Sequence, residues 1–149
     1  MPDANAITSF VGLQSYDVVR YKRHHKSWIE LWLEYNGDIF RCGQCGQTVL
    51  NFRGGVWVRL RDLSSSKHRV YVWEHRRLGD CPRCGVRRLA SRLARAHARC
   101  TRRFEHWIFQ LTEEMSVKGV SKFARVDWET VKDAEIRYIL GLLRKRNLD

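Results

Sequence analysis

The sequence predicts an α+β chain: an N-terminal β-rich half of antiparallel hairpins around a four-cysteine site, then an all-α half. Three observations predict it. Two matching C-x-x-C-G segments, Cys42–Gly46 and Cys81–Gly85, flank a stretch rich in β-branched and aromatic residues. Alternation of apolar and polar residues dominates up to the second cysteine pair. Beyond it the apolar positions step by three or four, which is helical spacing. The expected division is residues 1–86 and 87–149.

Residues 1–12 read as a loop or short cap. Alternation over Val18–Tyr21 and Trp28–Tyr35, joined by the basic turn Lys22–Lys26, makes a hairpin. Asn36-Gly37-Asp38 turns the chain into the first cysteine pair. Val56–Leu60 and Arg69–Trp73 are two further strands. The polar Ser64–Lys67 between them makes that pair antiparallel.

Each cysteine pair brings two thiolates close enough to grip one ion. The glycine after the second cysteine lets the backbone turn tightly and aim its amides at the sulfurs. Cys42, Cys45, Cys81 and Cys84 together form a closed, all-thiolate tetrahedral set of the kind that holds Zn2+ structurally. A zinc ribbon is therefore expected, and the metal belongs to the fold. Four unliganded core thiols or two disulfides are the alternative. His68 and His75 lie near the pairs and could replace a thiolate, but four cysteines already complete the set. Cys100 stands apart from both pairs. Nothing at the N-terminus reads as an export leader, and no apolar stretch reaches membrane-spanning length. A reducing cytoplasm is the expected compartment, with no membrane partner.

Charge points to the partner. Lys+Arg number 28 against 16 Asp+Glu, a formal +12. Arginine dominates, and its planar fork suits phosphate and guanine. Leu89, Leu93, Ala96, Cys100, Phe104, Trp107, Leu111 and Met115 mark a helix face, with Arg88, Arg92, Arg95, Arg99 and Arg102 running beside it. Eight arginines and no acid fall between Arg83 and Arg103. A solvated flank would mix in glutamates, so the stripe is expected to face a polyanion. Residues 86–100 read as helix or as an extended strap, and Thr101 could cap a helix that starts there.

Val117, Val120 and Ala124 share a face in a shorter helix. Asp127 then N-caps a long one over Trp128–Arg146, with Val131, Ala134, Tyr138 and Leu142 on one side and Glu129 in its first turn. Residues 117–136 fit a helix-turn-helix, with small Ser121 at the crossing. Arg125 stands where a glycine is usual, so it is either left-handed or in a different turn. The groove-facing residues would be Trp128, Glu129, Thr130, Lys132 and Asp133, with Lys118, Lys122 and Arg125 on phosphates. Trp128 reads equally as a core anchor. Arg144-Lys145-Arg146 is a further phosphate clamp or a charged helix end.

Five further segments complete the pattern begun by the cysteine pairs. They are Leu13-Gln14 with its hairpin, Val58–Leu63, Arg69–Val72, Thr101–Glu105 and Val126–Lys132. In order and spacing the chain resembles the N-terminal part of the ISL-three family of bacterial insertion-sequence transposases. That resemblance implies a zinc-binding segment and a helix-turn-helix that recognise terminal inverted repeats, followed in the family by an RNase H-like domain with a DDE triad. The acids after Asp127 lie on one helix or the tail and offer no such triad, so catalysis by this chain is not expected. The reading is a zinc-dependent double-stranded DNA-binding protein: a regulator, an accessory factor or a split-transposase subunit. It would work with a further copy of itself or with a separate catalytic or effector subunit. The alternative is a zinc-ribbon adaptor that docks to a protein or ribonucleoprotein complex.

Overall fold

The structure is a computed structural model and describes residues 12–25 and 27–146. The expected loop or cap over residues 1–12 lies outside these, apart from Gly12, as does Lys26 of the basic turn. The chain forms two compact units, residues 1–101 and 102–149. The division falls after Thr101 rather than after residue 86.

In the first unit, β1 (Tyr16–His24) and β2 (Trp28–Tyr35) form the expected antiparallel hairpin. The short β3 (Phe40–Arg41) and β4 (Thr48–Val49) flank the first cysteine pair. A long hairpin follows, β5 (Phe52–Ser65) against β6 (His68–Cys81), and β7 (Gly85–Arg88) returns along the end of β6. The main sheet runs β1-β2-β6-β5, and β2 and β6 are parallel, which local alternation does not predict. A parallel neighbour needs a crossover, supplied here by β3, β4, the first cysteine loop and β5.

One face of this sheet makes the core. Tyr16, Val18, Leu31, Leu33, Leu60, Val70 and Val72 are buried on it, as alternation demands. Their cover is the segment 89–101, which is not a helix. It runs as an irregular strap whose Leu93, Ala94 and Ala98 pack on the sheet. Of the two readings of residues 86–100, the extended strap forms over 89–100 and the helix face from Leu89 to Cys100 does not.

Two forces override the helical period in the strap. Ser91 Oγ accepts the amides of Leu93 and Ala94, a local turn that competes with helix. Backbone bonds from Arg61 N to Arg99 O and from Thr101 N to Arg61 O, both 2.9 Å, stitch the strap to β5. Thr101 Oγ1 also donates to the fully buried Asp62 at 2.7 Å. Propensity is a weak prior against an open apolar sheet face that needs covering.

The second unit contains α1 (Arg102–Thr112), α2 (Val117–Ala124) and α3 (Trp128–Arg146). Helix α1 starts where Thr101 marks it. Phe104, Ile108, Val120, Ala124, Val131 and Ala134 are the buried apolar residues of the three helices. Leu142 was expected on the packed side but is exposed, because the end of α3 outruns the two shorter helices. Buried Glu105 is met by Arg137 Nη1 at 2.7 Å, which pins α1 to α3. No helix among the described residues is long and apolar enough to cross a membrane.

Candidate metal centre and nucleic-acid interface

The first cysteine pair sits in the loop joining β3 to β4, and the second in the turn from β6 to β7. Gly46 and Gly85 close the two turns at φ of 75° and 76°, a left-handed conformation that costs glycine nothing. Backbone bonds lock one loop to the other. Gly43 N donates to Arg88 O at 3.1 Å and Ala90 N to Arg41 O at 2.8 Å. The sulfurs of Cys42, Cys45, Cys81 and Cys84 all lie within 4.8 Å of one another. Corners of a tetrahedron with metal–sulfur bonds of about 2.3 Å stand about 3.8 Å apart, so these sulfurs fit one ion.

The thiols are electrostatically unequal. The Cys45 amide, which outweighs the cost of burial, and the Gln44 amide (3.4 Å from the sulfur) lower Cys42 to about 7. Burial, then the neighbouring Cys45, Cys42 and Cys81 groups, push Cys84 up to about 12. The first proton leaves readily. The last leaves when a cation offsets the crowding of sulfur charge.

Little apolar mass supports the centre. Val49 and Leu89 are the buried aliphatic side chains around Cys42 and Cys81, with Phe40 partly buried beside them. They close over Gly79, where a methyl would come within 2.5 Å of Val49 Cγ1 and 2.8 Å of Leu89 Cδ2. His75 is not a ligand. Its ring stacks on Trp57 at 4.7 Å and its Nδ1 faces Glu34 at 3.5 Å. Cys100 is buried beside Arg61, away from the four.

The arginine stripe is not the face of one helix. Arg88 is on β7, Arg92, Arg95 and Arg99 are on the strap, and Arg102 opens α1. Arg88, Arg92, Arg99 and Arg102 are exposed and Arg95 is half-buried. The Arg92 guanidinium lies over Tyr35 at 4.8 Å.

The helix-turn-helix forms over the expected residues. Ser116, which the sequence reading missed, caps α2 by accepting the Gly119 amide at 3.2 Å; a serine just before an apolar run is the signal for it. Arg125 takes the left-handed alternative, φ 56° and ψ 50°, and its N–H donates to Ser121 O. Ser121 is small for a reason: its Oγ donates to Val126 O at 2.6 Å, inside the turn. Asp127 caps α3 by accepting the Thr130 amide at 2.7 Å.

Val131 and Ala134 point inward. Trp128, Glu129, Lys132 and Asp133 are exposed and Thr130 is half-exposed. Trp128 is 53% exposed and so is not a core anchor. Lys132 Nζ stands over its ring at 4.6 Å, a pair that the i, i+4 spacing would have shown. Lys118, Lys122 and Arg125 are exposed, as are Arg144, Lys145 and Arg146 at the far end of α3.

The left-handed Arg125 costs about 1 kcal/mol relative to glycine. Arg125→Gly is expected to raise the stability of the helical unit by up to that amount, read as a higher Tm. A lower Tm would mean the arginine side chain holds the turn.

Residues 91–139 match the helix-turn-helix domain of transposase family ISL3. Over 136 residues the chain is 30% identical to the transposase for insertion sequence element IS1001 of Bordetella parapertussis, an alignment that takes in 89% of this chain and 33% of that one. The chain thus spans about a third of the length of the curated relative it matches. No solved structure matches it. The resemblance carried by the cysteine pairs and the helical pair stands on these findings.

Proposed function

We propose that this chain, whose residues 91–139 carry the ISL3-family transposase helix-turn-helix, is a zinc-dependent reader of double-stranded DNA. It would act in the reducing cytoplasm as the DNA-recognition part of a transposition system, or as a regulator or accessory factor derived from one. One observation carries the reading. The first turns of α3 present Trp128, Glu129, Lys132 and Asp133 to solvent while Val131 and Ala134 pack inward, and Lys118, Lys122 and Arg125 stand exposed on α2 and the turn.

Such a pair lays its second helix into a major groove. Lys118, Lys122 and Arg125 set register on phosphates. Trp128 packs on sugar or a thymine methyl, Glu129 accepts from cytosine, and Lys132 reaches guanine. Thr130 and Asp133 flank them. The Trp128–Lys132 contact holds both side chains before DNA arrives, which lowers the ordering cost of binding. Exposed Arg88, Arg92, Arg99 and Arg102 add sequence-independent attraction.

Zn2+ fits the four-thiolate donor set, and its contribution is to hold the two cysteine turns together. With four protein ligands the ion keeps no open coordination position.

Binding to duplexes that carry candidate terminal inverted repeats, measured at several salt concentrations, tests the reading. Affinity on every duplex no better than about 10⁻⁴–10⁻⁶ M would reject it. Lys132→Ala should cost about 1–3 kcal/mol on the best site and relax preference at one base pair. Equal loss on all sequences would make Lys132 a phosphate contact instead.

A further inference from the structure

The main sheet has two faces and the core uses one. Alternation puts Leu31, Leu33, Val70 and Val72 inward, so Trp32, Tyr71 and Trp73 between them project from the opposite face. The outward face of such a sheet ordinarily carries polar residues. Here Trp28, Trp32, Trp57 and Trp73 all sit in its strands, out of six tryptophans in the chain. That concentration is far more than packing needs, since none of the four is in the core cluster.

Guanidinium groups run between the rings. Trp32 and Trp73, opposite one another on β2 and β6, lie nearly parallel at 5° with centroids 6.1 Å apart. Arg20, across from Trp32 on β1, stands over its ring at 4.7 Å. Arg59, across from Trp73 on β5, stands over Tyr71 at 3.8 Å and within 6.0 Å of Trp73. Trp57 lies on the same face two residues before Arg59, opposite His75, whose ring stacks on it at 4.7 Å, and is 40% exposed.

Among the described residues three carboxylates lie on this face, and each has a partner. Asp17, opposite Glu34 on β1, takes a 3.1 Å bond from Asn36 Nδ2. Glu34 meets His75, and Glu30 takes a 3.0 Å bond from the Trp73 indole and a 2.6 Å contact from His24. Burial acts to raise the Glu30 carboxyl, but those bonds and the nearby His24 and Arg59 charges hold it below the ordinary carboxylate range. It stays charged and fixes the tryptophan in place.

We propose that this outward face binds an unpaired DNA strand, with bases stacking on Trp32, Trp57 and Trp73 and phosphates meeting Arg20 and Arg59. Three features select that occupant. Rings interleaved with cations match a strand whose bases and phosphates alternate. A duplex hides its base faces in the stack, so a sheet of rings can use only exposed ones. The cations also complement a polyanion, whereas an apolar protein surface would leave them desolvated and unpaired. The site is in the first unit and is independent of the helix-turn-helix reading.

The test uses the full, metal-loaded chain and a labelled homopyrimidine DNA oligonucleotide of about 12 residues, within the span such surfaces cover. Anisotropy should show saturable binding that weakens with salt. Trp57→Leu and Arg59→Gln change exposed side chains outside the core, and each should weaken oligonucleotide binding about fivefold or more. Their affinity for blunt duplex should stay within twofold of wild type. Absence of saturable binding, or wild-type affinity in both variants, would overturn the proposal. Tighter binding of the matching RNA oligonucleotide would overturn its assignment to DNA. Oligonucleotide binding without duplex binding would leave this site standing and count against the helix-turn-helix reading alone.

Discussion

Withdrawing metal with a strong chelator is expected to unfold residues 40–89 and to loosen the whole first unit. Apparent zinc affinities of about 10–16 kcal/mol equal or exceed the total stability of an ordinary domain. The apolar support around the sulfurs, chiefly Val49 and Leu89, cannot replace them. The readout is loss of β-sheet circular dichroism and of tryptophan near-ultraviolet signal, with stoichiometric metal released. Metal should also be lost as pH falls, because protons compete for the same four thiolates. Unchanged spectra after complete metal removal would refute the structural role. Cys81→Ser should reproduce the chelated state without chelator.

Removing the Glu74 carboxylate should cost about 3–5 kcal/mol. This side chain is buried at 3% exposure and takes bonds from Tyr16 at 2.8 Å, Arg76 at 2.8 Å and Ser91 at 2.7 and 2.8 Å. It ties the strap to the sheet. Glu74→Ala would leave the Tyr16 hydroxyl and the Arg76 guanidinium without their acceptor in a dry place. Denaturant unfolding checks it, and a loss under about 1 kcal/mol would mean water takes over the role.

The same cluster predicts alkaline sensitivity. Burial, then the charge and hydrogen bond of Glu74, raise the Tyr16 hydroxyl well above its ordinary value of 10.0. The folded state keeps that proton where the unfolded state releases it. The stability tied to Tyr16 is therefore intact below pH 10 and declines as pH rises beyond it. Tyr16→Phe should flatten that decline.

Local rules read much of this molecule from its residues. The paired cysteines, the glycines after them, the β1–β2 and β5–β6 hairpins, and the Asp127 cap depend on neighbours within a few positions, and each is where spacing placed it. The choice between helix and strap for residues 86–100 was not legible. Leu89, Leu93 and Cys100 keep a helical period, yet a sheet face from residues as distant as Tyr16 and Leu31 draws that segment into extended cover. The parallel β2–β6 pairing is hidden for the same reason, since nothing in either strand names its partner. The arginines drawn as one helix stripe divide instead among β7, the strap and α1. The outward place of Trp32 and Trp73 was not legible either, because alternation shows which residues share a face but not which face is covered.

Strand β6 is one continuous strand of 14 residues that ends on Cys81. Its early residues, Arg69–Glu74, pair with β2 over the core, and its last, Leu78–Cys81, pair with β7 at the sulfurs. Amide exchange along it should therefore be slowest in these two doubly paired stretches, and should accelerate in both together when either anchor fails. Damage at the cysteines would be felt at Val70 and Val72, and a destabilised core would let ions escape.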